Sequence, residues 1–214
     1  KKHGVPVIED AAESLGSLYH GQATGTFVDY GIFSFNGNKI ITGSAGGCFL
    51  TDDEEAANKV RKWSTQAREN AAWYQHEELG YNYRMSNVCA GIGCGQMTVL
   101  DQHIAHHKHV QALYEDLMKD IPGVKINKQP NDPRYDSNYW LCTMTLEPSV
   151  KVKGQENAYK EVIKTAVGGA AAVVYTNGIE EDLFKIGMCL PAGPYVTDDD
   201  VRYIVDCIKE AIEL

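Results

Sequence analysis

The segment Phe33-Ser34-Phe35-Asn36-Gly37-Asn38-Lys39-Ile40-Ile41-Thr42-Gly43 sets a single lysine between an apolar run and a glycine turn. Short apolar runs bounded by glycine read as strands covered on both faces, and ligands of α/β sheets gather where such strands end. A lysine in that place is not a solvated surface charge. Desolvation disfavours an ammonium, so the residue reads as a reactive amine. Upstream, Val5-Pro6-Val7-Ile8 reads as a strand that closes in an acidic turn, Glu9-Asp10-Ala11-Ala12-Glu13-Ser14; downstream, Gly47-Cys48-Phe49-Leu50-Thr51 reads as another.

Helix signals fill the intervals. Asp52-Asp53-Glu54-Glu55 opens a helix to about Arg68, with its acids at the positive end of the dipole. Glu77 to Met85 reads as a loop leading to a Ser86 N-cap, from which a long helix is expected to reach Asp120 and stop at Pro122-Gly123. Tyr139 to Leu146 reads as a strand and Asp198 to Ile212 as a helix. In that helix Val201, Ile204, Val205, Ile208 and Ile212 form one apolar stripe, and Thr197 with Asp200 resembles a capping box. The expected fold class is α/β, with a larger part over residues 1–121 and a small α+β part over residues 122–214. Lys1 to Gly4 reads as the tail of a helix, so a longer protein is expected to precede this stretch.

At 214 residues, 43% hydrophobic and 23% charged, the composition is that of a soluble globular protein. A net charge of −9 argues against nucleic-acid binding, which needs a basic face. Cys48, Cys89, Cys94, Cys142, Cys189 and Cys207 form no CxxC pair; they read as reduced, buried thiols of a cytoplasmic protein. No stretch approaches the roughly 18 apolar residues of a membrane span, and the first residues lack a signal-peptide core.

The chemistry concentrates in Asp10, Ser34, Lys39 and the loop Gly80-Tyr81-Asn82-Tyr83-Arg84. A carboxylate past a strand end can hold a protonated ring nitrogen, a lysine can bond a carbonyl carbon, and a serine and an asparagine can bind phosphate. Together these are the protein contributions that pyridoxal phosphate needs.

Four motifs, VIEDAAESLG (Val7 to Gly16), FSFNGNKIITGSAGG (Phe33 to Gly47), GYNYRMSN (Gly80 to Asn87) and IGMCLPAGPYVTDDDVR (Ile186 to Arg202), resemble the DegT/DnrJ/EryC1/StrS aminotransferases. These are fold-type-I pyridoxal-phosphate enzymes acting on nucleotide-linked keto-sugars. EDAAESLG with FSFNGNK is most similar to the branch that aminates C4 of UDP-linked 4-keto-6-deoxy-hexosamines. The resemblance implies the C-terminal part of a large domain with a mostly parallel sheet and flanking helices, followed by a small α+β domain.

It also implies roles. Lys39 would bond the cofactor and, once released by the donor glutamate, move the proton as the catalytic base. Asp10 would hold the pyridine nitrogen protonated, Ala12 would lie against the ring face, Glu13 would stand near the ring hydroxyl, and Ser34 would bind the phosphate. Asn82 would reach the phosphate in a neighbouring subunit, making the active unit a homodimer. Tyr83 and Arg84 are candidate substrate contacts. No metal is implied, and the biosynthetic context is polysaccharide.

Two features depart from the family. The glycine-threonine turn and stacking aromatic of the large domain are not in these 214 residues, and residues 151–175 stand in place of a longer segment, with the junction expected at Gly168 to Ala172. Two alternatives therefore stand beside transamination: a catalytically silent, dimerising interaction module, and a related dehydratase, although that group carries histidine where Lys39 stands. Weaker features have plainer readings. His103, His106, His107 and His109 read as a solvated helix face. Gly91, Gly93 and Gly95 read as close helix packing. Trp73, Tyr74 and His76 read as sugar-pocket lining or as core.

Overall fold

The computed structural model describes residues 2–152 and 178–213. The elements run β1 (Ile8–Asp10), β2 (Leu18–Tyr19), β3 (Gln22–Ala23), β4 (Tyr30–Ser34), β5 (Gly47–Leu50), α1 (Glu54–Ser64), α2 (Asn87–Met97) and α3 (Leu100–Met118). They continue with β6 (Val124–Ile126), β7 (Tyr135–Asp136), β8 (Cys142–Leu146), β9 (Lys151–Val152), α4 (Ile179–Ile186), β10 (Gly187–Leu190), α5 (Asp198–Ala211) and β11 (Ile212–Glu213). Packing separates two units, Lys1–His106 with Gln129–Trp140, and His107–Lys128 with Leu141–Leu214.

In the first unit β4 is the centre of a three-stranded sheet, parallel to β1 and antiparallel to β5. The register sets Asp10 opposite Ile32 and Ser34 opposite Gly47, so Asp10 and Ser34 end neighbouring parallel strands. The first strand begins at Ile8 rather than Val5. Pro6 has no N–H to donate, and the Val7 N–H is taken by Asp29 Oδ2 at 3.1 Å. Covering on both faces is not achieved among the described residues, where Ile8 is 68% exposed. Glu9 anchors the neighbouring turn, accepting from Gly25 N at 2.7 Å and Phe27 N at 3.2 Å. That turn passes so close to β4 that a Cβ on Gly31 would collide with the Gly25 carbonyl.

Helix α1 begins as the sequence suggests: Asp53 caps Ala56 N at 3.1 Å, with Glu54 and Glu55 in the first turn. It stops at Ser64, four residues short of Arg68. The Thr65 N–H turns back to Lys62 O at 3.1 Å, and Gln66 and Ala67 take left-handed φ of 65° and 49°. The long helix expected from Ser86 to Asp120 is instead two. Ser86 caps Cys89 N at 3.2 Å, but Thr98 ends α2 by donating its hydroxyl to Gly95 O at 2.7 Å. Among the described residues the glycines of α2 do not serve close packing: a Cβ on Gly91, Gly93 or Gly95 would meet nothing within 4 Å.

The second unit packs β6, β8 and β10, all antiparallel with β8 central, beneath helical side chains. Val110, Tyr114 and Met118 join Val201, Val205 and Met144 in its core. The Tyr114 hydroxyl donates to Pro191 O at 3.0 Å, and burial pushes that phenol up to about 12. The capping box of α5 is formed, with Asp200 N donating to Thr197 Oγ1 at 3.2 Å and Thr197 N to Asp200 Oδ2 at 2.9 Å. The α5 stripe buries Val201, Val205 and Ile212, although Ile212 already belongs to β11, which pairs with β9. The proposed junction at Gly168 to Ala172 lies outside the described residues.

Strand β8 begins at Cys142 instead of Tyr139, because Tyr139 has a left-handed φ of 54°. The cysteines are all free, but only Cys142 is buried; Cys94, Cys189 and Cys207 are exposed, correcting the expectation of six buried thiols. Among the described residues no helix is long and apolar enough to cross a membrane.

Candidate functional site

Two turns meet at the carboxyl ends of β1 and β4. The first follows Asp10, whose Oδ1 accepts from Ala12 N at 3.2 Å, an Asx-type closure that aims the chain away from the sheet. Ala11 is buried beneath it, and Ser14 N and Ser17 N return to Ala11 O and Ser14 O. The second follows Ser34, whose Oγ accepts from Asn36 N at 3.3 Å. Phe35 closes this loop from both sides, its N–H donating to Gly46 O at 2.8 Å and its carbonyl accepting from Gly43 N at 3.0 Å.

Within that loop the physical tie is the pair Ile40 and Ile41, both buried with Leu100 and backed by Leu15, Phe35 and Ile104. Burying them fixes Lys39 on the opposite, site-facing side. His103 supports the arrangement: its Nδ1 lies 3.1 Å from Ile40 O, which requires the Nδ1–H tautomer to donate. Lys39 then reaches the first turn, with Nζ 3.3 Å from Glu13 Oε1. Its side chain is 13% exposed whereas that of Glu13 is 69% exposed. The amine also stands over the Trp140 ring, 4.2 Å from its centroid.

Trp140 and Asn138 were not among the residues singled out from sequence. Asn138 is 4% exposed and donates Nδ2 to both Glu13 O and Leu15 O at 3.0 Å. Its backbone N–H donates to Ser17 Oγ at 2.9 Å, and its Oδ1 accepts from Trp140 N at 3.0 Å. Trp140 Nε1 in turn donates to Asn38 O at 2.7 Å. The signal was present in Ser137-Asn138-Tyr139-Trp140, a polar-aromatic stretch directly before a strand, but nothing local in it names a partner 125 positions away.

Asp10, Ala12, Glu13, Ser34 and Lys39 thus share one end of the sheet. Asn82, Tyr83 and Arg84 occupy a different segment of the first unit. Asn82 bridges Thr65, and the N–H groups of Tyr83 and Arg84 both donate to Ser64 O at 3.0 Å. Tyr83 stacks on Tyr81 at 4.9 Å and 10°. With Phe33, Cys48, Trp63 and Arg84 these two tyrosines line a cleft of about 870 Å³ beside β4 and β5. Trp73 and Tyr74 are 66% and 76% exposed, so core packing does not describe them; Arg68 lies over the Tyr74 ring at 4.1 Å.

An amine, a carboxylate and a hydroxyl on one sheet edge fit pyridoxal phosphate by the chemistry of the donor set: a carbonyl-reactive nitrogen, an anion for a ring cation, and a phosphate donor. The histidines do not gather as a metal site. His109 Nε2 lies 2.7 Å from Asp198, His103 serves Ile40, and His107 is buried rather than on a solvated face. Among the described residues no group of three or more His, Cys, Asp or Glu could hold a metal ion.

The model of the DegT/DnrJ/EryC1/StrS aminotransferase family matches residues 1–209. EpsN of Bacillus subtilis (strain 168), a proposed pyridoxal phosphate-dependent aminotransferase, is 41% identical over 96% of this chain and 56% of its own length. The GDP-perosamine synthase of Caulobacter vibrioides (strain ATCC 19089 / CIP 103742 / CB 15) is 36% identical over 100% of this chain and 54% of its own. Among solved structures, the aminotransferase TlmJ from Streptoalloteichus hindustanus superposes with a TM-score of 0.78 at 22% identity, over 98% of this chain and 59% of its own, a likeness of fold. The chain therefore spans a little over half the length of the relatives it matches.

Proposed function

Because the chain belongs to the DegT/DnrJ/EryC1/StrS aminotransferase family, we propose that it carries the lysine of a pyridoxal-phosphate site that transaminates a nucleotide-linked keto-sugar. The acceptor is C4 of a UDP-4-keto-6-deoxy-hexosamine and the donor is glutamate. The observation that supports this best is the Lys39 amine, drawn inward to the turn that follows Asp10, at the carboxyl ends of β1 and β4. The likeness to a GDP-perosamine synthase supports a nucleotide-linked sugar as the class and makes the nucleotide the variable to screen.

In this reading Lys39 bonds the cofactor, Asp10 pairs with its ring nitrogen, Ser34 donates to its phosphate, Ala12 backs the ring and Glu13 stands by the ring hydroxyl. Pyridoxal phosphate, when bound, supplies the electron sink that the side chains lack. Lys39 Nζ, freed by the incoming donor, takes a proton and returns it at the same nitrogen, acting as general base and then acid. Asp10, at the end of β1, supplies the anion that faces the ring nitrogen. Asn82 reaches a phosphate in the partner subunit of a homodimer, and Tyr83 and Arg84 face the sugar nucleotide. Over one cycle the donor's amino group and the sugar's carbonyl oxygen exchange, so glutamate leaves as 2-oxoglutarate and no oxidant or reductant is consumed. The cofactor-binding part is the first unit, residues 1–106 with 129–140 rather than a continuous 1–121, the small domain is the second unit, and the compartment is the cytoplasm.

The test is covalent trapping followed by turnover. Protein incubated with pyridoxal phosphate and then borohydride should carry the reduced adduct on Lys39, and Lys39→Ala should lose it. With glutamate and UDP- or GDP-linked 4-keto sugars, mass spectrometry should then show a sugar nucleotide in which an amino group has replaced the carbonyl oxygen. Cofactor uptake with no adduct on Lys39 would sink the proposal; an adduct with loss of water and no amination would move it to the dehydratase chemistry.

A further inference from the structure

We infer that Trp140 is a positioning residue for Lys39, its indole face fixing where the amine waits before cofactor attachment; the role rests on the reading of Lys39 given above. A lysine stem has four rotatable bonds, and a single exposed carboxylate at 3.3 Å is a weak constraint on them. The Trp140 ring adds a second and less mobile one. Its centroid lies 4.2 Å from Nζ, well inside the roughly 6 Å over which a ring face attracts an ammonium.

The ring is itself held at two points. Its Nε1–H donates to Asn38 O, on the residue adjoining Lys39, and its backbone N–H donates to Asn138 Oδ1. The same buried Asn138 holds the carbonyl of Glu13 through Nδ2. One side-chain amide therefore locates both groups that contact the amine, the carboxylate-bearing turn and the indole. Tyr139, between them, takes a left-handed φ of 54°, a conformation uncommon for a residue with a Cβ, and this lets Asn138 and Trp140 both meet the site.

A bland alternative is that Trp140 only packs, since it also touches the Ile40, Ile41 and Leu100 cluster. Two substitutions in the full chain separate these roles. Trp140→Phe keeps a ring face and Trp140→Leu keeps apolar bulk without one; should the leucine variant not fold, Trp140→Met replaces it. In protein labelled with ¹³C-lysine and assigned by Lys39→Arg, the Lys39 ε-protons should resonate upfield, as protons over a ring face do. The displacement should persist in Trp140→Phe and collapse in Trp140→Leu.

Borohydride trapping with pyridoxal phosphate, read as adduct on the Lys39 peptide, should slow by at least about tenfold in Trp140→Leu and by less than about threefold in Trp140→Phe. That span equals about 1.4 kcal/mol against about 0.6 kcal/mol. Absence of the upfield resonance in the wild type, or equal behaviour of the two variants with the wild type trapped normally, overturns the positioning role alone. A wild type that shows the upfield resonance but takes no adduct overturns the functional reading instead.

Discussion

Asn138 donates its side-chain amide to the backbone carbonyl of Glu13 at 3.0 Å, although 125 positions separate the two residues. A second bond from the same nitrogen reaches Leu15 O. Removing the side chain leaves both carbonyls and the Trp140 N–H without their donor or acceptor in a place where Asn138 itself is 4% exposed. Asn138→Ala should therefore cost about 3 kcal/mol, near the upper end for losing buried hydrogen-bond partners. Urea unfolding followed in the wild type and variant checks it; a loss below about 0.5 kcal/mol would show that water replaces the amide at no cost.

What the sequence disclosed and what it hid follow from the range of the interactions. Strands β4 and β5, the acidic start of α1, the Ser86 and Thr197 caps and the α5 stripe were legible because each is decided within a few residues. The ends of α1 and α2 were not. The first depends on left-handed Gln66 and Ala67 and on a loop that comes back past Gly80, where a Cβ would collide with Ala67 N. The second depends on one threonine hydroxyl preferring Gly95 O to continued helix. In the site, Asp10 and Ser34 were visible as residue types at strand ends and Lys39 as a lysine between a strand and a glycine turn. Asn138 and Trp140 were invisible because their partners lie more than a hundred positions upstream.

Loop 65–83 hangs on Lys62, whose Nζ bridges Glu69 at 2.6 Å and Glu78 at 2.9 Å. These bonds raise Lys62 above its ordinary value, while hydrogen bonds from Lys62 and the Trp63 indole hold Glu78 below its own. A depressed carboxylate stabilises above its ordinary 4.5 and loses that contribution as pH falls through the folded value; a raised lysine stabilises below its ordinary 10.5 and loses it as pH rises further. Tethering should hold from about pH 5 to pH 10 and loosen outside that window. Amide exchange over residues 65–83, corrected for the intrinsic pH dependence, should show it, and Lys62→Met should look at pH 7 as the wild type does in acid.

The thiols should divide by burial. Desolvation pushes Cys142 up to about 12 from 9.0, whereas Cys94, Cys189 and Cys207 are exposed. A thiol pushed up so far carries very little thiolate at pH 8, before access is counted. Timed alkylation with iodoacetamide, read by peptide mass spectrometry, should modify the three exposed cysteines first and Cys142 only on unfolding. Early modification of Cys142 would mean that the β8 layer opens locally.

The α5 cap offers the most local prediction. Thr197 accepts from Asp200 N and donates its hydroxyl to Asp200 Oδ2 at 2.7 Å, which, with the Thr197 N–H, holds Asp200 below its ordinary 3.8. Thr197→Ala should destabilise by about 1 kcal/mol at pH 7, the usual cost of a lost N-cap. Asp200 protonates as pH falls below 3.8, and in that range the wild type loses the charge-assisted bond from the Thr197 hydroxyl, which the variant lacks already, whereas the bond from the backbone N–H of residue 197 is common to both. The difference between the two should therefore narrow in acid without vanishing, because the bond from Asp200 N to the hydroxyl needs no charge. Urea midpoints measured at pH 7 and pH 3 decide the matter, and a gap that stays constant would show that the carboxylate contributes nothing to the cap.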